Sequence, residues 1–178
     1  MNKRKVVLYI AISLDGYIAD KNGGVDWLVG HEKKEHNWAS YNEFISNVDT
    51  VIMGYRTYHQ IATELSKEKW YYEGLTSYVL THRDEEDKKE IVFINQHIKE
   101  LIGNLLKGSG KDIWICGGAD IVHQCLRDNL VDEYQITIIP TILGQGVYMF
   151  CELVRDIPLY LISMKENNGM VELIYRKR

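Results

Sequence analysis

Proline and cysteine are scarce in this chain of 178 residues, with two of the first and three of the second. Cys116, Cys125 and Cys151 are odd in number and scattered. No pair has the spacing of zinc ligands, and a disulfide framework needs a denser, even set. Reduced thiols in a cytoplasmic protein are the expectation. A run of about 18 apolar residues is absent, so no membrane-spanning helix is expected. Positive charge is not in excess. Twenty-one Lys and Arg stand against 25 Asp and Glu, for a net charge of -4. Nucleic-acid binding calls for a basic face, and a membrane surface for a polybasic run beside an apolar helix; the sequence offers neither. It has no internal repeat, low-complexity tract or linker. Two common phosphate motifs are missing as well: the Gly-x-Gly-x-x-Gly turn after a first strand and the P-loop.

What is present fits one globular domain over residues 1–178. Apolar residues make up 46% and charged residues 26%, and a chain of this length buries roughly 70% of its unfolded surface. Residues 6–12 are apolar and rich in β-branched side chains, the pattern of a buried strand. Lys3, Arg4 and Lys5 before them imitate a short secretory leader, but Asp15 and Asp20 follow without a small-residue cleavage pattern. Strands are likewise expected at 50–53, 77–81, 91–94, 112–116 and 135–139. Between them apolar residues recur at helical spacing: Trp38, Tyr41, Phe44 and Ile45, then Ile98, Leu101, Ile102, Leu105 and Leu106 before Gly108, then Ile121, Val122, Cys125 and Leu126. Strands alternating with helices predict a parallel sheet with right-handed crossovers. Pro140 marks a strand end or an edge. The C-terminus changes character. Residues 159–165 and 171–176 are strand-like and flank Asn168-Gly169, a hairpin signal. The expected fold is therefore α/β, a mainly parallel central sheet flanked by helices and closed by an antiparallel C-terminal hairpin.

Open α/β sheets bind ligands at the carboxyl ends of their strands. The strand before Gly117-Gly118 leads straight into a helix at Ala119-Asp120-Ile121. Glycine lets backbone approach a ligand, and the free N–H groups of a first helical turn attract phosphate; a tight strand-to-helix turn without ligand would look the same. A second strand ends in Gly54, followed by Tyr55-Arg56-Thr57-Tyr58, and a third in Thr81-His82-Arg83. Each cation alone reads equally well as a solvated side chain. Together, three strand ends with phosphate-compatible groups are about what a dinucleotide with a pyrophosphate and an extra ribose phosphate requires. After the first strand comes a Gly-rich segment, residues 13–28, which reads as a lid over a site or as a plain surface loop.

The combined pattern resembles the dihydrofolate-reductase-like superfamily, which includes dihydrofolate reductase and the reductase domain of the riboflavin-biosynthesis deaminase-reductase. The resemblance spans nearly the whole chain. It rests on Ser13-Leu14-Asp15-Gly16-Tyr17-Ile18-Ala19, Val51-Ile52-Met53-Gly54-Tyr55-Arg56-Thr57-Tyr58, Tyr78-Val79-Leu80-Thr81, Ile115-Cys116-Gly117-Gly118 and Pro140-Thr141-Ile142-Leu143-Gly144-Gln145-Gly146. It implies NADPH as cofactor and hydride transfer as the reaction, on a planar heterocyclic or related small molecule. It places Ala11 and Ile18 at the nicotinamide and Gly54, Arg56 and Thr57 on phosphates. It places Leu80, Thr81, His82 and Arg83 around the adenosine ribose and its 2'-phosphate. Cys116, Gly117, Gly118, Ala119, Asp120 and Ile121 then cradle the pyrophosphate. The family commonly has Arg directly after the first of these glycines, where this chain has Tyr55.

Other departures concern substrate. By the resemblance, Trp27 corresponds to the tryptophan ahead of the carboxylate that serves dihydrofolate reductase, and counting on reaches Glu32. Glu32 and Asp15 are thus the candidate catalytic carboxylates, with Trp27 and Tyr41 on the substrate side and Trp38 and Phe44 as possible walls. Simple helix packing accounts for Trp38, Tyr41 and Phe44 too, and Asp15-Gly16 is also a turn-forming pair. Folate enzymes carry an arginine shortly before the third strand, where this chain has Glu73-Gly74-Leu75-Thr76. The riboflavin-pathway enzyme has a lysine after Asp-Gly and a glutamate before Gly-Gly, where this chain has Tyr17 and Cys116. The expectation is a stand-alone relative with a substrate of its own, a small-molecule enzyme that pairs into homodimers, or else a cofactor-binding module that has lost catalysis.

Overall fold

The computed structural model describes residues 3–32 and 39–178, with no side chain described at Ala39. Trp38 therefore lies outside the described residues. In chain order the elements are β1 (Val6–Ser13), β2 (Tyr17–Asp20), α1 (Ala39–Ser46), β3 (Val48–Gly54), α2 (Tyr55–Gln60) and a π-helical continuation at Ile61–Leu65. Next come β4 (Thr76–Leu80), β5 (Ile91–Ile94), α3 (Ile98–Leu105), β6 (Asp112–Gly117), α4 (Ala119–Arg127) and β7 (Glu133–Ile139). The last are β8 (Gly146–Tyr148), β9 (Leu159–Asn167) and β10 (Met170–Lys177).

Eight of these strands form one sheet in the order β5-β4-β3-β6-β1-β7-β10-β9. From β5 to β7 every neighbour is parallel, and β10 and β9 add on antiparallel. The sequence pattern predicts this mostly parallel sheet and its C-terminal hairpin. Asn168 (φ 53°) and Gly169 (φ 75°) both take positive φ, as a two-residue type I′ turn demands.

The central strands read as unbroken apolar runs because helices cover both faces. On one face Leu8, Ile52, Ile113 and Ile115 pack under Ile98, Leu101, Ile102, Val122 and Cys125. On the other Val7, Val51, Met53 and Trp114 pack under Phe44, Tyr58 and Ile61. Each fully buried aliphatic side chain contributes about 1.5–3 kcal/mol, and the fully buried set is concentrated in β1, β3 and β6. Those are the strands that carry the site described next.

The Gly-rich segment after β1 is more ordered than a plain loop. Its residues 17–20 form β2, which pairs antiparallel with β8 in a separate two-stranded sheet. Among the described residues no helix is long and apolar enough to cross a membrane.

Candidate functional site

The chain leaves the centre of the sheet through β3, β4 and β5. It then returns to place β6 between β3 and β1. The strand order reverses there, which makes the carboxyl edge of β3, β6 and β1 the switch point where such sheets bind ligands.

Two helices start side by side at this edge, α2 after Gly54 and α4 after Gly118. Glycine sets how close they come. A Cβ on Gly118 would stand 3.2 Å from Thr57 Oγ1, and one on Gly54 would stand 3.3 Å from Ile121 Cγ1. Gly117 has φ +125° and is joined to Gly118 by a cis peptide; a side chain rarely adopts that φ. Neither N-cap carries a side-chain hydrogen bond. The first N–H groups of α4 have no intrahelical acceptor, so Gly118, Ala119 and Asp120 present donors to an anion. Asp120 is exposed and acidic, so only its backbone suits phosphate. Buried Ile121 is the wall over Gly54. Cys116 faces the opposite way, with Sγ 3.4 Å from Tyr72 Oη, and burial pushes its thiol up to about 11.

Positive charge stands next to this seam. The Arg83 guanidinium lies 4.5 Å from the centre of the Tyr55 ring. Tyr55 is the first residue of α2, and Glu85 beside its hydroxyl raises its pKa. The Arg83 N–H donates to Thr81 Oγ1 at 3.0 Å, and His82 Nδ1 meets Asn95 Oδ1 at 2.8 Å. Leu80, the last residue of β4, packs against the core below. Arg56 is exposed on α2. The structure thus brings Gly54, Arg56, Thr57, Leu80 to Arg83 and Cys116 to Ile121 to one sheet edge. Ala11 lies two strands along in β1, half-buried, and Ile18 packs against the core from β2.

The two candidate carboxylates lie in loops that hydrogen bonds anchor. Asp15 fastens the turn after β1 to the loop after β7. Its Oδ1 accepts from Ser13 Oγ at 2.7 Å and Leu143 N at 3.1 Å, and its Oδ2 accepts from Gly144 N at 2.7 Å. The Ser13 hydroxyl first, with these backbone donors, outweighs desolvation and holds its pKa below the ordinary carboxylate value. Asp15 is therefore a loop clamp in this structure. Glu32 is exposed at the tip of the β9–β10 hairpin. Its N–H donates to Asn168 Oδ1 at 2.8 Å and its carbonyl accepts from Asn168 Nδ2 at 2.9 Å. Trp27 is half-buried in the loop after β2 and donates to the Gly24 carbonyl at 3.2 Å.

Tyr41 belongs to an aromatic cluster that the spacing of α1 only partly foretells. Tyr9 stacks on Phe44 at 4.1 Å, Trp114 stands edge-on to Phe44 at 5.3 Å, and Tyr72 stands edge-on to Trp114 at 4.9 Å. Burial, with the Glu172 carboxylate adding to it, pushes the Tyr9 hydroxyl up to about 12. Tyr41 is raised in the same way, by burial first. Beside this cluster a groove of about 530 Å³ runs between α1 and the sheet, past Tyr9, Phe44, Gln135, Thr137, Glu172 and Lys165. Glu172 is a member the sequence does not reveal, because its neighbours in space come from strands far along the chain.

Comparisons with known proteins agree with this fold. The family model of the RibD C-terminal domain matches residues 4–164. The protein YwjB of Bacillus subtilis (strain 168) is 37% identical over 174 residues, covering 97% of this chain and 98% of YwjB. A crystal structure of a putative riboflavin biosynthesis protein from Shewanella sp. PV-4 superposes with a TM-score of 0.84 at 26% identity, covering 98% of this chain and 99% of that one. Dihydrofolate reductase from Enterococcus faecalis, solved with NADP(H), shares the fold at a TM-score of 0.67 and 12% identity, covering 98% and 97%.

Proposed function

The chain belongs to the RibD C-terminal domain family, and from that premise we propose that it is an NADPH-dependent reductase that passes hydride to a planar heterocyclic small molecule. The observation that carries this reading is the glycine seam. Gly54 and Gly118 leave room at two helix starts for a pyrophosphate, with the Arg83 guanidinium one strand away.

The order of strands suits an extended coenzyme. β4, β3, β6 and β1 are consecutive in the sheet, and at about 4.8 Å per strand they span about 14 Å. Arg83 and Thr81 at the β4 end would take the ribose phosphate. Thr57 and the N–H groups of Gly118 and Ala119 would take the pyrophosphate, with exposed Arg56 nearby. Ala11 and Ile18 would flank the nicotinamide. Bound NADPH supplies the hydride. The chain's own part is to orient the coenzyme and hold the substrate ring in register, away from bulk water.

Substrate identity follows from what replaces the family's marks. Tyr17 is buried and pairs its ring with Tyr148 at 4.1 Å, and Cys116 bonds to Tyr72. Neither is a charged contact for a phosphorylated sugar, so the substrate differs from that of the riboflavin-pathway enzyme. The placement of Asp15 and Glu32 favours a second reading, a cofactor-binding module without catalysis. A spectrophotometric screen of NADPH oxidation against pterins, pyrimidines and quinones separates the two. Turnover on any of them supports the reductase, and tight NADPH binding with no turnover on all of them supports the module.

A further inference from the structure

The register of the sheet sets four side chains in a row across one face. Ala11 in β1 pairs with Thr137 in β7, Thr137 with Glu172 in β10, and Glu172 with Lys165 in β9. Partners in register point to the same face. Thr137, Glu172 and Lys165 all line the 530 Å³ groove, whose far wall is α1 through Ser40, Glu43 and Phe44. At about 4.8 Å per strand, Glu172 lies about 10 Å from Ala11, the width of a planar ring system and its hydrogen bonds.

The carboxylate of Glu172 is half-buried, and among the described residues no hydrogen bond or ion pair engages it. Other charged groups also face the groove, exposed Lys3 among them. Lys165 lies 4.0 Å from Glu43 of α1, and buried Glu133 takes Lys5 and Arg176. The Tyr9 hydroxyl is close enough for the charge on Glu172 to oppose its ionisation. An uncommitted carboxylate in a groove rimmed by aromatic rings suits a flat heterocycle that offers adjacent N–H donors, because paired donors meet both carboxylate oxygens.

Resting on the reductase reading above, we propose that this groove is the substrate subsite and that Glu172 is the residue that grips the N–H edge of the substrate ring, with Thr137 beside it and the nicotinamide on Ala11. The carboxylate then comes from β10, at the far end of a strand row, while Asp15 and Glu32 keep their structural places.

The test uses NADP⁺-loaded protein and 2,4-diaminopyrimidine, a flat ring with an amidine-like edge, followed by calorimetry. Wild type, Glu172→Gln, Glu172→Asp and Glu100→Gln are compared after thermal melts confirm that each is folded. The proposal expects the probe to bind wild type, to weaken about tenfold or more in Glu172→Gln, to recover partly in Glu172→Asp, and to change by no more than about twofold in Glu100→Gln, an exposed carboxylate on α3 outside the groove. NADP⁺ affinity should stay within about twofold throughout. Binding of the probe unchanged by Glu172→Gln, or no binding to NADP⁺-loaded wild type, overturns the subsite. Failure of wild type to bind NADP⁺ at all is a separate result, and overturns the reductase reading beneath it.

Discussion

The guanidinium of Arg83 rests on the face of Tyr55, 4.5 Å from the ring centre, so a cation from the end of β4 is held against the first residue of α2. The ring gives Arg83 a fixed position that a solvated side chain would lack.

Replacing that face should change coenzyme choice. Arg83→Ala and Tyr55→Leu are each expected to weaken NADPH by about tenfold while NADH changes by about twofold or less, and Tyr55→Phe should retain the preference. Arg56→Ala should likewise cost NADPH more than NADH. Fluorescence titration with both coenzymes measures this, and equal losses for both would remove the 2'-phosphate assignment.

The glycine seam makes a steric prediction. A valine at position 118 meets Thr57 Oγ1, which lies 3.2 Å from where its Cβ would sit, and one at 117 must adopt φ +125°. Backbone strain of about 1–3 kcal/mol lowers Tm by several degrees in a domain of this size but leaves the β1–β3–β6 core intact. Coenzyme affinity should fall by about tenfold or more in both variants, with far-UV circular dichroism unchanged. Unaltered affinity would mean that the seam is a structural turn alone.

Glu133 links the sheet to acid stability. It is 4% exposed and accepts from Gln135 at 2.7 Å, Arg176 at 2.7 Å and Lys5 at 3.0 Å. Desolvation would raise its pKa, but these three donors prevail and lower it. A lowered folded-state pKa means the stabilisation is complete above the unfolded carboxylate value and is lost as pH falls through the folded value. Unfolding by urea should therefore become easier below about pH 4.3. Glu133→Gln should cost about 3 kcal/mol at neutral pH and flatten that acid dependence.

Asp15 has the same sign of shift from different partners. Asp15→Ala should free residues 141–144 from the turn after β1, seen as faster amide exchange at Leu143 and Gly144, whose N–H groups lose their acceptor. The wild-type protection should itself fade as pH drops below the ordinary Asp range. Protection that survives the substitution would show that other contacts hold the loop.

Short-range patterns carried the fold. Residues 91–94, a run of four apolar residues, are β5 end to end, and Asn168-Gly169 closes the hairpin it signals. Gly54, Arg83 and Gly118 could be picked out as candidates because each stands at or just past the end of its own strand. What was hidden depends on contacts between distant segments. β2 has four residues and β8 three, too short for periodicity, and each is a strand only through the other. Asp15 reads as a catalytic candidate or a turn former, and only the fold brings Leu143, 128 positions on, to donate to it. Glu32 is drawn to the hairpin by Asn168, 136 positions on. Glu172 sits in an ordinary strand pattern, and only the pairing with Thr137 sets it beside the β1 row.

Calorimetric titration of the purified chain with NADPH and with NADH tests the central claim most directly. A single site that takes NADPH at least about tenfold more tightly than NADH, and loses that margin in Arg83→Ala, is the predicted result. No heat with either coenzyme, or equal affinity for both, contradicts it.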